Sequence, residues 1–300
     1  MTLFQLLAEG SDVLQRSGSP DAQNDARQLL LAAFETDMVH FLLNRMQELG
    51  ENEDSRSRIR LYREMIERRR SRIPLQQILG CQEFMGLDFY VNEHVLIPRQ
   101  DTETLVELVL EEQKDPEKSI LDVCTGSGCI AISLAVKGGY PDVTATDISE
   151  EALKVARRNA AALQCDEQVH FYQGDLFGAL EQRAGRTFDI IVSNPPYIPT
   201  AVIRTLEPEV RDHEPLLALD GTEDGLHYYR RIASEAGKYL KPDGRIYLEI
   251  GYDQGKAVSE LLTDAGFFRV RVCQDLPGKD RVVCAVWPGQ QEACPESLLS

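Results

Sequence analysis

Ile120-Leu121-Asp122-Val123-Cys124-Thr125-Gly126-Ser127-Gly128 decides the fold of this 300-residue chain. A short apolar run reads as a buried strand, a glycine-rich turn follows, and Ile130–Lys137 continues as a helix. Glycines let a backbone turn sharply and approach a ligand closely. The same alternation continues outward. Val143-Thr144-Ala145-Thr146 is a strand, Glu150 to Leu163 a helix, and Val169–Tyr172, Ile190–Ser193 and Arg245–Ile250 are further strands. Val270–Cys273 and Arg281–Val286 read as a closing β-hairpin pair. The pattern predicts an α/β fold: a doubly wound, mostly parallel sheet with an antiparallel edge.

The first 75 residues read as helical. Thr2 is placed to cap a helix carrying Leu3, Leu6, Leu7 and Val13-Leu14. Apolar residues keep helical spacing from Asp21 to Leu43, and a third helix is expected over Ser55–Arg72, ended by Pro74. Eight arginines and two acids fall within Arg56–Arg72. A solvated basic face accounts for them, and a docking surface is the alternative. Phe84, Leu87, Phe89 and Val91 around Gly86 read as a hairpin, and Asp101-Thr102-Glu103 as a capping-box-like helix start. The expected division is a helical domain over 1–75, a hairpin linker over 76–97, a catalytic domain over 98–287 and a disordered tail over 288–300.

Net charge is −17, unevenly spread. Residues 1–75 carry 11 basic and 12 acidic residues, and the remaining 225 carry 21 and 37. An acidic catalytic region disfavours nucleic-acid phosphates and suits a basic protein partner or a small substrate. The N-terminus lacks a signal-peptide pattern, no run reaches a membrane span, and the seven cysteines follow no zinc or Cys-x-x-Cys spacing. The expectation is a cytoplasmic protein with no metal site. Cys124, Cys129, Cys273 and Cys284 are expected to be small buried residues.

Two constellations carry chemistry. The Gly126–Gly128 turn, with Asp147 ending the next strand to meet ribose hydroxyls, serves dinucleotides and S-adenosyl-L-methionine (SAM) alike. Asp122 near the first turn, suited to an ammonium group, and Asp175 of Gly174-Asp175-Leu176-Phe177, suited to an adenine amine, tilt the balance toward SAM. The plainer reading of Asp175 is a helix cap. The second constellation is Asn194-Pro195-Pro196-Tyr197, at the end of the strand Phe188–Ser193. Each proline removes an N–H and fixes φ, and the residue before it is held extended. The stiff turn offers the Asn194 side-chain oxygen and the Pro195 carbonyl to the two hydrogens of an –NH2 group, with Tyr197 to stack on its flat face. That suits methyl transfer to an amide or exocyclic amine nitrogen.

Ile97-Pro98-Arg99-Gln100-Asp101-Thr102-Glu103, Asp122–Gly128 and Asn194–Tyr197 together resemble the peptide-chain-release-factor N5-glutamine methyltransferases, the PrmC/HemK family. Leu75–Gly80 with Glu83-Phe84, Glu249-Ile250-Gly251 and Asp275–Arg281 extend the resemblance over about residues 70–285. It implies a class I SAM-dependent methyltransferase that modifies the glutamine of the Gly-Gly-Gln motif in class I release factors. It further implies SAM contacts from Cys124, Thr125, Gly126, Ser127, Gly128, Asp122, Asp147, Asp175, Leu176 and Asn194. Asn194, Pro195, Pro196 and Tyr197 would hold the substrate glutamine, with Asn194, Pro195 and Tyr197 catalytic. Neither a membrane nor a nucleic acid is an expected partner. Gln100 stands where the family usually has Pro, and Cys124 where Gly is common, so an ordinary backbone is expected at Cys124. The alternatives are a ribosomal-protein glutamine methyltransferase, an adenine-N6 DNA methyltransferase, a non-catalytic release-factor binding module, and an NAD dehydrogenase lacking its catalytic His or Tyr-x-x-x-Lys.

Overall fold

The computed structural model describes residues 1–183 and 185–289. Among them nine strands form: β1 (Cys81–Phe84), β2 (Leu87–Tyr90), β3 (Ile120–Val123), β4 (Val143–Asp147), β5 (Val169–Gln173), β6 (Phe188–Ser193), β7 (Leu240–Glu249), β8 (Phe268–Gln274) and β9 (Asp280–Val286). The chain divides into two compact units, one of Met1–Cys81 with Glu207–His213 and one of Gln82–Leu206 with Glu214–Ser300. The division falls within the 76–97 stretch. Most of the expected tail lies, from residue 290 on, outside the described residues.

In the second unit seven strands lie in the order β5-β4-β3-β6-β7-β9-β8. The first five are parallel, and β9 runs antiparallel to both β7 and β8. Period-2 alternation splits each central strand between two cores. Ile120, Ile190, Val192 and Tyr247 face one core, with the helices Gln100–Glu112 and Cys129–Gly138. Leu121, Val123, Ile191, Ile246 and Leu248 face the other, with His227–Ala236 and Gly255–Asp264. From β3 the chain winds to one side through β4 and β5, then to the other through β6 and β7. The switch point lies at the carboxyl ends of β3 and β6, where such folds form ligand crevices. Val123 pairs with Ser193, and the Ser193 hydroxyl donates to the Val123 carbonyl at 2.6 Å. The two motif turns thus leave the sheet side by side.

β7 begins at Leu240, earlier than the sequence pattern predicts. Lys241-Pro242-Asp243-Gly244 reads as a turn, and the chain bulges there, with Asp243 at φ 61° and a register shift between the pairs Phe188↔Leu240 and Ile190↔Arg245.

The first unit holds the helices Leu3–Arg16, Ala22–Phe34, Met38–Asn44, Glu53–Arg70 and Leu75–Leu79, plus Pro208–His213. Thr2 makes the expected cap, a full capping box with Gln5. The periodicity from Asp21 to Leu43 spans two helices. Glu35 turns left-handed at φ 49°, and the Asp37 carboxylate caps the next helix at His40 N, 2.8 Å away. The arginine-rich helix is solvated at Arg56, Arg60, Arg63, Arg68 and Arg70. Arg69 departs from that pattern. It is buried, bonded to Asp25 at 2.7 Å and to Glu209 at 2.8 Å, and Arg72 grips Glu209 as well.

Candidate active site

Four residues lock the turn after β3. The Asp122 carboxylate accepts from the Thr125 hydroxyl at 2.6 Å and from Ala131 N at 3.3 Å. Thr125 N donates to the Thr146 carbonyl at 2.9 Å. Asp147 receives Gly126 N and Ser149 N, each at 2.9 Å. Asn159 Nδ2 donates to Ser127 O at 2.9 Å. Cys124, Gly126 and Gly128 all have left-handed φ, at 64°, 56° and 82°. The ordinary backbone expected at Cys124 is overturned. The chain must swing from β3 into the turn at that residue, and a non-glycine there costs about 1–2 kcal/mol. Gly128 is also needed for space, because a Cβ would lie 2.8 Å from Ile132 Cδ1 and 3.1 Å from Ala156 Cβ.

Above the switch point a cleft with a cavity volume of about 130 Å³, open at its mouth, lies within the second unit. Its floor carries Cys124, Thr125 and Ser127 from the first turn, and Asp147 from the end of β4. Asp175 and Leu176 line it after β5, and Asn194 and Pro196 after β6. Asp122, Gly126, Gly128, Pro195 and Tyr197 do not line it. Asp122 is fully buried and serves the turn rather than the cleft surface. Burial pushes its carboxyl up to about 7, against the Thr125 and Ala131 bonds that pull it down. Burial likewise raises Asp147 and the Cys124 thiol. Cys129, Cys165 and Cys284 are buried as small residues, whereas Cys124 and Cys273 are only partly buried.

Asp175 is no side-chain cap. Its two oxygens pair with Arg231 at 3.0 and 2.9 Å. Tyr197 packs its ring against the second core, and its carbonyl accepts from Gln254 Nε2 at 3.0 Å. The expected capping box at Asp101-Thr102-Glu103 does not form either. Glu103 instead accepts from Met85 N in the β1–β2 turn at 2.6 Å, and no side chain caps the helix Gln100–Glu112.

Sequence reasoning missed several residues here. Arg99, Thr102, Pro215, Leu217 and Tyr228 also line the cleft. Glu214 receives Arg99 at 2.6 Å and so fixes the chain before Pro215. Asn194 Nδ2 donates to Thr102 Oγ1 at 3.3 Å. Burial pushes the nearby Glu249 carboxyl up to about 7, against Thr102, Arg281 and Tyr197, which lower it. The available signal was one acid ending the apolar run Ile246-Tyr247-Leu248-Glu249-Ile250.

A doubly wound parallel sheet with an antiparallel β7-β9-β8 edge, a glycine turn after its central strand and an acid after the next define a class I SAM-dependent methyltransferase fold. A methyltransferase structure from Pyrococcus furiosus shares it. That structure is 20% identical, with TM-score 0.50, over 75% of this chain and all of the other. Residues 100–205 match the family model of the methyltransferase small domain, and residues 5–80 that of the PrmC N-terminal domain. A release factor glutamine methyltransferase from Clostridium acetobutylicum is 40% identical over 96% of this chain and all of its own length. One from Geobacter sulfurreducens is 41% identical over 94% and 95%. The chain belongs to the release factor glutamine methyltransferase family. No helix among the described residues is long and apolar enough to cross a membrane.

Proposed function

We propose that this protein transfers a methyl group from SAM to the side-chain nitrogen of the glutamine in the Gly-Gly-Gln motif of class I release factors. The observation that carries the reading is the Asn194-Pro195-Pro196-Tyr197 turn at the switch point, beside the left-handed turn after β3. The residues present fit SAM. The Asp147 carboxylate faces the cleft at the usual place for ribose hydroxyls, and Thr146 lines it with a buried hydroxyl that has no partner among the described residues. Gly126 has open space above its α-carbon. Asp147 carries no cation partner among the described residues and so offers the cleft a negative group that suits a cationic donor. When bound, SAM supplies an electrophilic methyl group.

An amide nitrogen is a weak nucleophile because its lone pair is delocalised. The chain's contribution is therefore positioning, together with oxygens aimed at the positive charge that grows on nitrogen. Asn194 Oδ1 takes one N–H of the substrate amide, and the rigid prolines keep that oxygen in place. No nucleophilic residue is required. The proton leaves after transfer, so no strong base is required either.

Residues 1–75 are assigned to docking of the folded release factor, with the exposed Arg56–Arg70 face as the contact. The acidic second unit suits a protein substrate better than nucleic-acid phosphates. A cytoplasmic location follows from that substrate.

Mass spectrometry of a release factor incubated with the protein and SAM tests the reading. One methyl group on the Gly-Gly-Gln glutamine is expected. Methylation of a ribosomal protein or of DNA adenine in its place would overturn it.

A further inference from the structure

Among the described residues, the second unit buries two acids with no cation bonded to them, Asp122, which is spent on the turn after β3, and Glu249. Glu249 ends β7 and is 1% exposed. The nearby Arg281 gives its guanidinium to Asp275 at 3.0 Å and to Asp101 at 2.9 Å. Glu249 Oε2 has no hydrogen-bond partner among the described residues. A buried carboxyl held in this way weakens the fold, and a residue that breaks a local rule without compensation marks a functional site. The Thr102 and Tyr197 hydroxyls are the neighbours that, with Arg281, lower its carboxyl against the effect of burial. Thr102 is 2% exposed and touches Asn194 on its other side.

An asparagine amide has a donor end and an acceptor end of nearly equal size. Holding a substrate –NH2 group requires that the oxygen end face the cleft. Thr102 alone cannot select that orientation, because a hydroxyl both donates and accepts. A carboxylate only accepts. With its hydrogen given to the Glu249 carboxylate, the Thr102 hydroxyl would meet Asn194 with only lone pairs to offer. The NH2 end of Asn194 turns to Thr102, as the 3.3 Å contact records, and Oδ1 is left for the substrate.

We propose that Glu249 is a positioning residue for methyl transfer. Acting through the Thr102 hydroxyl, it fixes the Asn194 amide with its oxygen toward the acceptor nitrogen, and through the Tyr197 hydroxyl it holds the far end of the same turn. The proposal rests on the glutamine-acceptor reading above. It also gives the relay a pH dependence. Burial raises the Glu249 carboxyl, Thr102, Arg281 and Tyr197 lower it, and Asp101 raises it further. Tyr229 and Cys129 also lie in its field. When protonated, Glu249 can donate to Thr102, and the relay loses its direction. The transfer rate therefore rises with pH through the region near 7.

The test combines kinetics on the full-length enzyme with NMR of the Asn194 side-chain amide, assigned by its loss in Asn194→Asp. Glu249→Gln and Thr102→Val are each expected to lower kcat about 10–100-fold, with the KM for SAM within about twofold. Because both break one chain, the double variant should be no more than about threefold slower than the slower single. Thr102→Ser keeps the hydroxyl and should restore most of the rate. Glu249→Gln should flatten the pH profile near 7. Both variants should shift the Asn194 NH2 resonances. Losses that multiply, a Thr102→Val rate near wild type, or unmoved Asn194 resonances overturn the relay. If Glu249→Gln does not fold, the comparison of Thr102→Val with Thr102→Ser still decides. If the wild-type enzyme leaves the release factor unmodified while the Asn194 resonances respond as expected, the relay stands and the substrate reading falls.

Discussion

Replacing Asp147 by Asn perturbs the cleft at one atom while keeping the side chain's shape. In the folded chain each Asp147 oxygen accepts one backbone N–H, from Gly126 and from Ser149, both at 2.9 Å. An asparagine has one acceptor and one donor end, so one of those N–H groups must face an NH2. Bonds to a charged group contribute about 1.5–3 kcal/mol each. Losing one therefore costs roughly that much in stability, at the lower end if Gly126 N, at the cleft, takes a water instead. The turn that Gly126 anchors is also the floor on which SAM would lie, and the carboxylate is its proposed ribose contact. SAM affinity should fall about 10–100-fold, since tenfold corresponds to about 1.4 kcal/mol. Calorimetric titration with SAM reads the affinity, and thermal unfolding of the ligand-free protein reads the stability. Asp147→Glu is the control. It keeps the charge, but its extra methylene carries the carboxylate past Gly126 N, so binding should weaken there too. SAM affinity within twofold of wild type in Asp147→Asn would refute the assignment of this carboxylate to both the turn and the donor.

Asn194→Ala should leave SAM binding largely intact and slow methyl transfer about 10²–10³-fold, measured by single-turnover methylation of a release factor; Asn194→Asp should retain part of the activity because it keeps an acceptor oxygen. Arg69→Ala strips the shared cation from Asp25 and Glu209 inside the helical unit and should cost about 3 kcal/mol, the lower end for a broken buried pair because Arg72 still holds Glu209; unfolding in urea within about 1 kcal/mol of wild type would contradict this. Asp122 and Glu249 sit near 7 in the fold against ordinary values of 3.8 and 4.5. Between those limits the folded chain keeps protons that the unfolded chain releases, so their contribution to stability is lost as pH rises from about 4 through 7. Thermal unfolding across that range should show the decline, and Asp122→Asn and Glu249→Gln should each reduce its slope.

Local chemistry set much of this protein in advance. The apolar runs, the glycine turn after Val123 and the acid at Asp147 require a strand–turn–helix unit wherever they occur, because the constraints lie within a few residues of one another. The proline-locked turn at Asn194 is legible for the same reason, as is the Thr2 cap. The break at Glu35-Thr36-Asp37 was present as a capping signal but was masked by apolar spacing that ran on through it. Other features exist only in three dimensions. That Cys124 must turn left-handed follows from where β3 ends relative to β4 and β6, a distance no local preference encodes. That segment 207–213 belongs with the first 81 residues, and that Arg69 is buried, depends on a glutamate about 140 positions away. Glu249, Thr102 and Asn194 come from β7, from the helix after Arg99 and from the end of β6, elements separated by up to 147 positions. Each is unremarkable alone. Only the parallel pairing of β6 with β7, and burial that removes competing water, turns one acid, one hydroxyl and one amide into a chain with a direction.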